Sequence, residues 1–265
     1  MSKSDTCETE IQEAYKQLIV YAEDLHTTIN LLKESHFDLE MAYLDSVNRL
    51  AQAVEYKDEA TGNHVSRICF FSAILADAAG LPCEHVMRIY NSAAMHDVGK
   101  ISIPDAILLK PGPLTAAEFE TMKSHTTVGA KLLANSKSDL LETGRIIALT
   151  HHEKWNGTGY PKNLAGTNIP IEGRTVALAD VYDALRSERS YKPAFSWKNT
   201  AAILTEEAGH HFDPHLVELF FANADKIQHV DSILRSKGKQ DINALLGEVL
   251  PICDVSACTS VTSIL

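Results

Sequence analysis

The chain offers imidazoles and carboxylates in a pattern that could hold metal: His64, the adjacent His96 and Asp97, His125, the adjacent His151 and His152, and Asp180. Each stands near the end, or on the inward stripe, of a separate helical segment, so a bundle could collect them at one point. Singly the signals mean little, because His-Asp and His-His dipeptides are common. Together they are hard to explain without a cation, since each buried polar group left unpaired costs about 1–3 kcal/mol. Nitrogen and carboxylate donors with no thiolate suit iron, manganese, nickel or zinc rather than magnesium or calcium. In "HDVGK", residues 96–100, the carboxylate could bridge two metals, and the glycine is read as turning the chain so that Lys100 reaches back over the site.

Such donors need helices to carry them. Residues 8–55 lack proline and glycine, and Ile11, Tyr15, Leu18, Ala22, Leu25, Ile29 and Leu32 alternate spacings of four and three. Leu39, Tyr43 and Leu50 continue that register, with polar His36 and Ser46 between them. An a/d seam of this kind reads either as a parallel coiled coil that makes a homodimer or as a long helix packed on its own domain. From about residue 56 one helix follows another. Gly80 is a C-terminal stop, Thr115 and Glu118 form a capping box, and Asp213 with Pro214 starts a late helix. No alternating strand appears beyond a short ribbon around "NGTGYP", so the expected class is all-α. The boundaries expected are an N-terminal helix over 1–44, a catalytic domain over 45–238 and a tail over 239–265 with no assigned role.

Composition narrows the function. A chain of 265 residues can bury a sizeable core, and its formal charge of −11 argues against a nucleic-acid polymer or an anionic membrane surface as partner. No apolar run approaches the roughly 18 residues of a membrane span, and the first residues lack a signal-peptide layout. The five cysteines form no C-x-x-C pair, so a disulfide framework is not expected and a cytoplasmic location is.

From about residue 45 to 225 the chain resembles the HD-GYP family of cyclic-dinucleotide phosphodiesterases, a branch of the HD superfamily. The pieces that carry the resemblance are "KDEATGNHVSR" (57–67), "HDVGK" (96–100), "LKPGPLTAAEFETMKSHTTVGAKLL" (109–133), "HHEKWNGTGYP" (151–161), "ALADVYDALRSERSYK" (177–192) and "AGHHFDP" (208–214). Their order and spacing agree with the family throughout.

The resemblance implies an HD-type helical bundle and two divalent metals, iron foremost and manganese as the alternative. One metal would be held by His64, His96, Asp97 and Asp180, and the other by Asp97, His125, His151 and His152. Lys100, Arg189 and Lys192 would contact substrate phosphate, and Gly159-Tyr160-Pro161 would shape the substrate side of the pocket. The implied reaction is hydrolysis of cyclic di-GMP to pGpG, and in some members to GMP, by hydroxide raised between metals about 3.5–4 Å apart. Two departures stand out. The glutamate that holds a third metal in some members is Ala60 here, with Glu59 one place off, and the family's arginine-proline-tyrosine reads Arg189-Ser190-Tyr191. The alternatives are a preference for the hybrid cyclic GMP-AMP and a non-catalytic cyclic-dinucleotide sensor. Of the remaining groups, "HHFDPH" is read as a helix start, and His26, His36, His85 and His229 as solvated. Glu153 and Asp183 are left open between supporting an imidazole and decorating a surface.

Overall fold

The computed structural model describes residues 3–58, 64–188, 193–236 and 242–251. Ala60, Glu59, Arg189, Ser190, Tyr191 and Lys192 therefore lie outside the described residues. Two compact units are present, Met1–Tyr43 and Leu44–Leu265.

The first unit is helical. It is the larger part of α1 (Lys3–Asp58), in which good helix formers run without a breaker. Its seam residues Tyr15, Leu18, Leu25, Leu32 and Leu39 are exposed, each by more than 60% of its surface. An exposed apolar stripe of this length is unusual on a solvated helix.

In the second unit α2 (His64–Ala78) is the central element. It is buried from His64 to Ala76 at every position but Ser66, and a helix apolar on all sides belongs inside a core. Gly80, at φ +76°, ends it in a conformation that other residues adopt poorly. α2 packs against α3 (Cys83–Ser92) and α7 (Ile171–Arg186), while α5 (Ala116–Leu132) packs on α6 (Asp139–Thr150). Between α3 and α5 the chain passes through the 3-10 turns Ala93–Met95 and Val98–Ser102 and the single turn α4 (Asp105–Leu108). Thr115 and Glu118 complete the capping box of α5, and the Asp213 side chain accepts from His215 N to start α9 (Pro214–Ala222).

The main core is aromatic. Tyr182 stands between Phe71, at 4.9 Å between ring centroids, and Phe220, at 5.0 Å. Trp197 of α8 (Trp197–Glu206) stacks on Phe220, and α10 (Ala224–Arg235) adds Ile227, Val230 and Leu234. Tyr182 is thus a core residue. α11 (Ile242–Val249) contributes Leu245, Leu246 and Val249 to the same cluster, so the helical patch in the tail has a packing role that sequence did not reveal. A smaller cluster of Met95, Leu133 and Ala148 lies between the ligand-bearing elements.

The all-α expectation holds: among the described residues there is no strand, only isolated bridges at Asn156–Ala165 and Ala208–Phe212. No helix among them is long and apolar enough to cross a membrane. No disulfide framework is expected from the sequence; Cys83 is nevertheless disulfide-bonded, while Cys69 is buried in the core.

Phe220 has no exposed surface and packs against three other rings, so its removal leaves a cavity in the core. Phe220→Ala should lower the free energy of urea unfolding by about 3–5 kcal/mol. A loss below about 1 kcal/mol would show that this packing is not what holds α7 and α9 together.

Candidate metal centre

The seven expected ligands arrive from five separate places in the chain. His64 opens α2, His96 and Asp97 join the two 3-10 turns after α3, and His125 lies on the buried face of α5. His151 and His152 follow the last turn of α6, and Asp180 lies on α7. Two groups form. Asp97, His125, His151 and His152 bring one donor atom each within 4.8 Å of one another, and His64, His96 and Asp180 do the same. Asp97 joins the groups. Its Oδ1 is 3.3 Å from His125 Nε2 and 3.6 Å from His151 Nε2, while its Oδ2 is 3.3 Å from His96 Nε2. His64 Nε2 lies 3.8 Å from Asp180 Oδ1.

Hydrogen bonds behind the rings set the tautomers. Nδ1 of His96 donates to Ala93 O at 2.9 Å, that of His125 to Met122 O at 2.7 Å, and that of His151 to Ile147 O at 3.0 Å. An imidazole that spends Nδ1–H on a carbonyl presents a bare Nε2 lone pair on its other side. The Nε2 atoms of His125 and His151 then stand 3.5 Å apart, both beside Asp97 Oδ1. That oxygen is buried and has no hydrogen-bond partner among the described residues. Lone pairs and a carboxylate oxygen gathered in this way repel unless a cation stands among them, so the donors fit a divalent metal of the nitrogen- and oxygen-loving kind.

Titration agrees with that arrangement. Burial opposes ionisation of Asp97, but the Lys100 ammonium outweighs it and holds the carboxyl well below its usual range. Burial brings the His125 pKa down to about 4, against the opposing pull of Asp97. Burial, then the neighbouring His151 and His125, push His152 well below the ordinary histidine value. These imidazoles are neutral near pH 7, as ligands must be.

Lys100 Nζ pairs with Asp97 Oδ2 at 2.7 Å. The glycine before it has a different use from the one read in the sequence. Gly99 lies in the 3-10 turn Val98–Ser102, and a Cβ there would overlap the carbonyl of His125 and crowd Gly129 N. It is therefore a seat for the α5 backbone, and it fixes the distance between Asp97 and His125. Arg189 and Lys192, expected on substrate phosphate, lie outside the described residues.

Two groups left open by the sequence have definite positions. Asp183 is fully buried; its Oδ2 accepts from His64 Nδ1 at 2.6 Å and its carboxylate binds Arg67 through 2.5 and 2.9 Å contacts. Arg235 reaches the same carboxylate at 2.7 Å. Burial raises its pKa, but His64 and Arg67 overcome this and leave it far below the usual carboxylate range. Sequence reasoning missed Arg67 and Arg235; the available signal was spacing, with Arg67 three residues after His64 and Asp183 three after Asp180 on the same helix stripes.

Glu153 is buried, and its hydrogen bonds go to backbone amides. Its two oxygens accept from Lys162 N at 2.6 Å and Leu164 N at 2.9 Å, which ties the Gly159-Tyr160-Pro161 loop back to the histidine pair. Tyr160 N donates to His152 O at 3.1 Å, and the Tyr160 ring lies 4.8 Å from that of His152. The Tyr160–Pro161 bond is cis. Gly159 is obligatory because a Cβ would strike the backbone of Glu153 and Lys154.

"HHFDPH" is the helix start it was taken to be: Asp213 caps α9 and pairs with Arg174 Nη1 at 2.5 Å. His85 corrects the reading of a solvated ring, since its Nε2 is 2.8 Å from Glu172.

Comparison with known proteins gives a consistent result. A family model described as HD domain matches residues 48–216. A cyclic di-GMP phosphodiesterase of Vibrio cholerae is 47% identical over 67% of this chain and 39% of its own length. A 3'3'-cGAMP-specific phosphodiesterase 2 of the same organism is 41% identical over 83% of this chain and 42% of its own. A cyclic di-GMP phosphodiesterase of Thermotoga maritima is 42% identical over 71% of this chain and 50% of its own. The chain thus spans half or less of the length of these relatives. The crystal structure of a cyclic GMP-AMP specific phosphodiesterase of V. cholerae superposes with a TM-score of 0.57 at 18% identity, covering 81% of this chain and 55% of that one, which establishes a shared fold.

Asp183→Asn removes the charge shared by two arginines and an imidazole, and should cost about 3–5 kcal/mol in urea unfolding at pH 7. The folded carboxyl titrates below its unfolded value of about 3.9, so its contribution is complete above that pH and fades as pH falls toward the folded value. The parent's stability should therefore drop below about pH 4, and the variant should lack that part of the slope. Superimposable pH profiles would show that Asp183 is not held ionised.

Proposed function

Because the chain belongs to the HD domain family, we propose that it is a metal-dependent phosphodiesterase acting on a cyclic dinucleotide, cyclic di-GMP foremost. The observation that carries the reading is the convergence of Asp97, His125, His151 and His152 beside His64, His96 and Asp180. We assign the first four to one metal and the latter three, with Asp97, to a second. Iron is proposed as the resident metal, with manganese next. Bound there, divalent cations would supply Lewis acidity and lower the pKa of water, which is what hydrolysis of an unactivated phosphodiester requires.

The chain's own residues have separable tasks. Backbone carbonyls of Ala93, Met122 and Ile147 hold three imidazoles in the tautomer that presents Nε2. Asp183 does the same for His64 with a full negative charge, which strengthens that ring as a donor. Lys100 lies at the carboxylate that joins the two groups and, together with Arg189 and Lys192, is proposed to neutralise charge developing on phosphoryl oxygen. Tyr160, whose phenol is pushed above its usual pKa by burial and by Asp97, keeps its proton and can donate a hydrogen bond to a phosphate or sugar oxygen. We place the chain in the cytoplasm.

A second reading keeps the chemistry and changes the base, since relatives named for 3'3'-cGAMP stand beside those named for cyclic di-GMP. Turnover of the two cyclic dinucleotides by the same preparation separates these readings. For the N-terminal unit we propose pairing with a second copy along the exposed seam of Tyr15, Leu18, Leu25, Leu32 and Leu39. Sedimentation should give a dimer for the parent and a monomer for Leu25→Lys combined with Leu32→Lys; a monomeric parent would refute the pairing.

Protein purified without oxygen should carry about two irons or manganeses per chain and cleave cyclic di-GMP, whereas Asp97→Ala should lose metal and all turnover. Hydrolysis surviving in Asp97→Ala would remove the joining carboxylate from the mechanism.

A further inference from the structure

Beside the candidate metal centre, between α5 and the Gly159-Tyr160-Pro161 loop, lies a groove of about 600 Å³, and of its lining the reaction as described uses only Tyr160. Its wall on the α5 side includes Phe119, Glu120 and Lys123, and the loop side includes Tyr160 and Asn163, with Lys154 also lining it. The volume is in the range of sites that take small organic ligands.

The lining is unusual for a chain of net charge −11. Phe119 is 43% exposed, so a large ring is held open to solvent. Its centroid lies 6.1 Å from that of Tyr160 with the planes at 82°, and the two rings form a corner. Lys123 Nζ stands 5.1 Å from the Phe119 centroid and 5.6 Å from that of Tyr160, a cation over two aromatic faces. Its carboxylate partner is Glu120 at 2.7 Å, itself 70% exposed, and so open an ion pair holds its lysine weakly. The ammonium can turn to a stronger anion. Lys154 brings a second cation from the segment that follows the histidine pair.

Position supplies the second half of the argument. The Tyr160 ring lies 4.8 Å from His152 on one side and 6.1 Å from Phe119 on the other. The groove therefore begins one ring's width from the ligand cluster. A phosphodiester at the cluster would extend its next substituent over Tyr160 and into the corner.

We propose that this groove is the subsite for the half of a cyclic dinucleotide that is not being cut: its second purine lies in the Phe119–Tyr160 corner, and Lys123 and Lys154 pair with its second phosphate. A flat base matches the paired rings, a doubly anionic ring matches two lysines, and neither is needed for a simple diester. The assignment rests on the phosphodiesterase reading above.

The test compares the metal-loaded protein on two substrates: cyclic di-GMP, and bis(4-nitrophenyl) phosphate, which has one phosphate and no purine. For Lys123→Gln and for Phe119→Leu, kcat/KM on cyclic di-GMP should fall about tenfold more than on the aryl diester, mainly through KM. Lys123→Arg should recover most of that loss. Equal losses on both substrates, or none on either, would overturn the subsite. A parent that cleaves the aryl diester but no cyclic dinucleotide would instead sink the functional reading, and the subsite with it.

Discussion

A largely buried carboxylate beside several nitrogen lone pairs is the constraint around which the Leu44–Leu265 unit is organised. Ionisation of Asp97 is disfavoured by burial and offset by Lys100, and the imidazoles that face it come from His96 beside it and from His125 and His151 on two other elements. None of those partners can be local except Lys100 and His96. The helices must therefore be held in register from outside the site, and the aromatic core around Tyr182, the Gly99 seat and the Asp183 network do so. Loss of any of these would leave the ligands present in sequence but misplaced in space.

Support for the ligands is graded. His96, His125 and His151 lean on carbonyls of their own turns, so the backbone that presents each ring also fixes its tautomer. His64, at the first residue of α2, has its Nδ1 held by Asp183 from α7 instead. The same carboxylate gathers Arg67 and Arg235, which joins α2, α7 and α10 through one buried anion. A helix terminus has been given by tertiary contact what a helix interior has by geometry.

Much of this was legible in the residues. Donor types announced metal chemistry, and helical spacing put each donor on an inward stripe. Thr115–Glu118 and Asp213–Pro214 marked helix starts because capping is decided within three or four residues. What escaped depends on pairs far apart in the chain. Asp183 meets His64 across 119 positions and Arg67 across 116, and nothing in a local window shows such a meeting. Gly99 was misread for a related reason: a glycine that makes a turn and a glycine that admits a neighbouring backbone are spelled alike. Glu153 was weighed as support for an imidazole, whereas its partners are amides nine and eleven residues downstream.

Those amide bonds have a mechanical consequence. Glu153 follows His152 directly and grips the loop at two points beyond Tyr160, while Tyr160 N is fastened to His152 O. Trp155 and Asn156 are fixed in turn to the His210–His211 backbone. The loop and the imidazole pair consequently form one rigid handle rather than a flap hinged on a fixed floor. Lifting the loop to admit or release a ligand would drag the two rings with it, so opening and coordination geometry share a single degree of freedom.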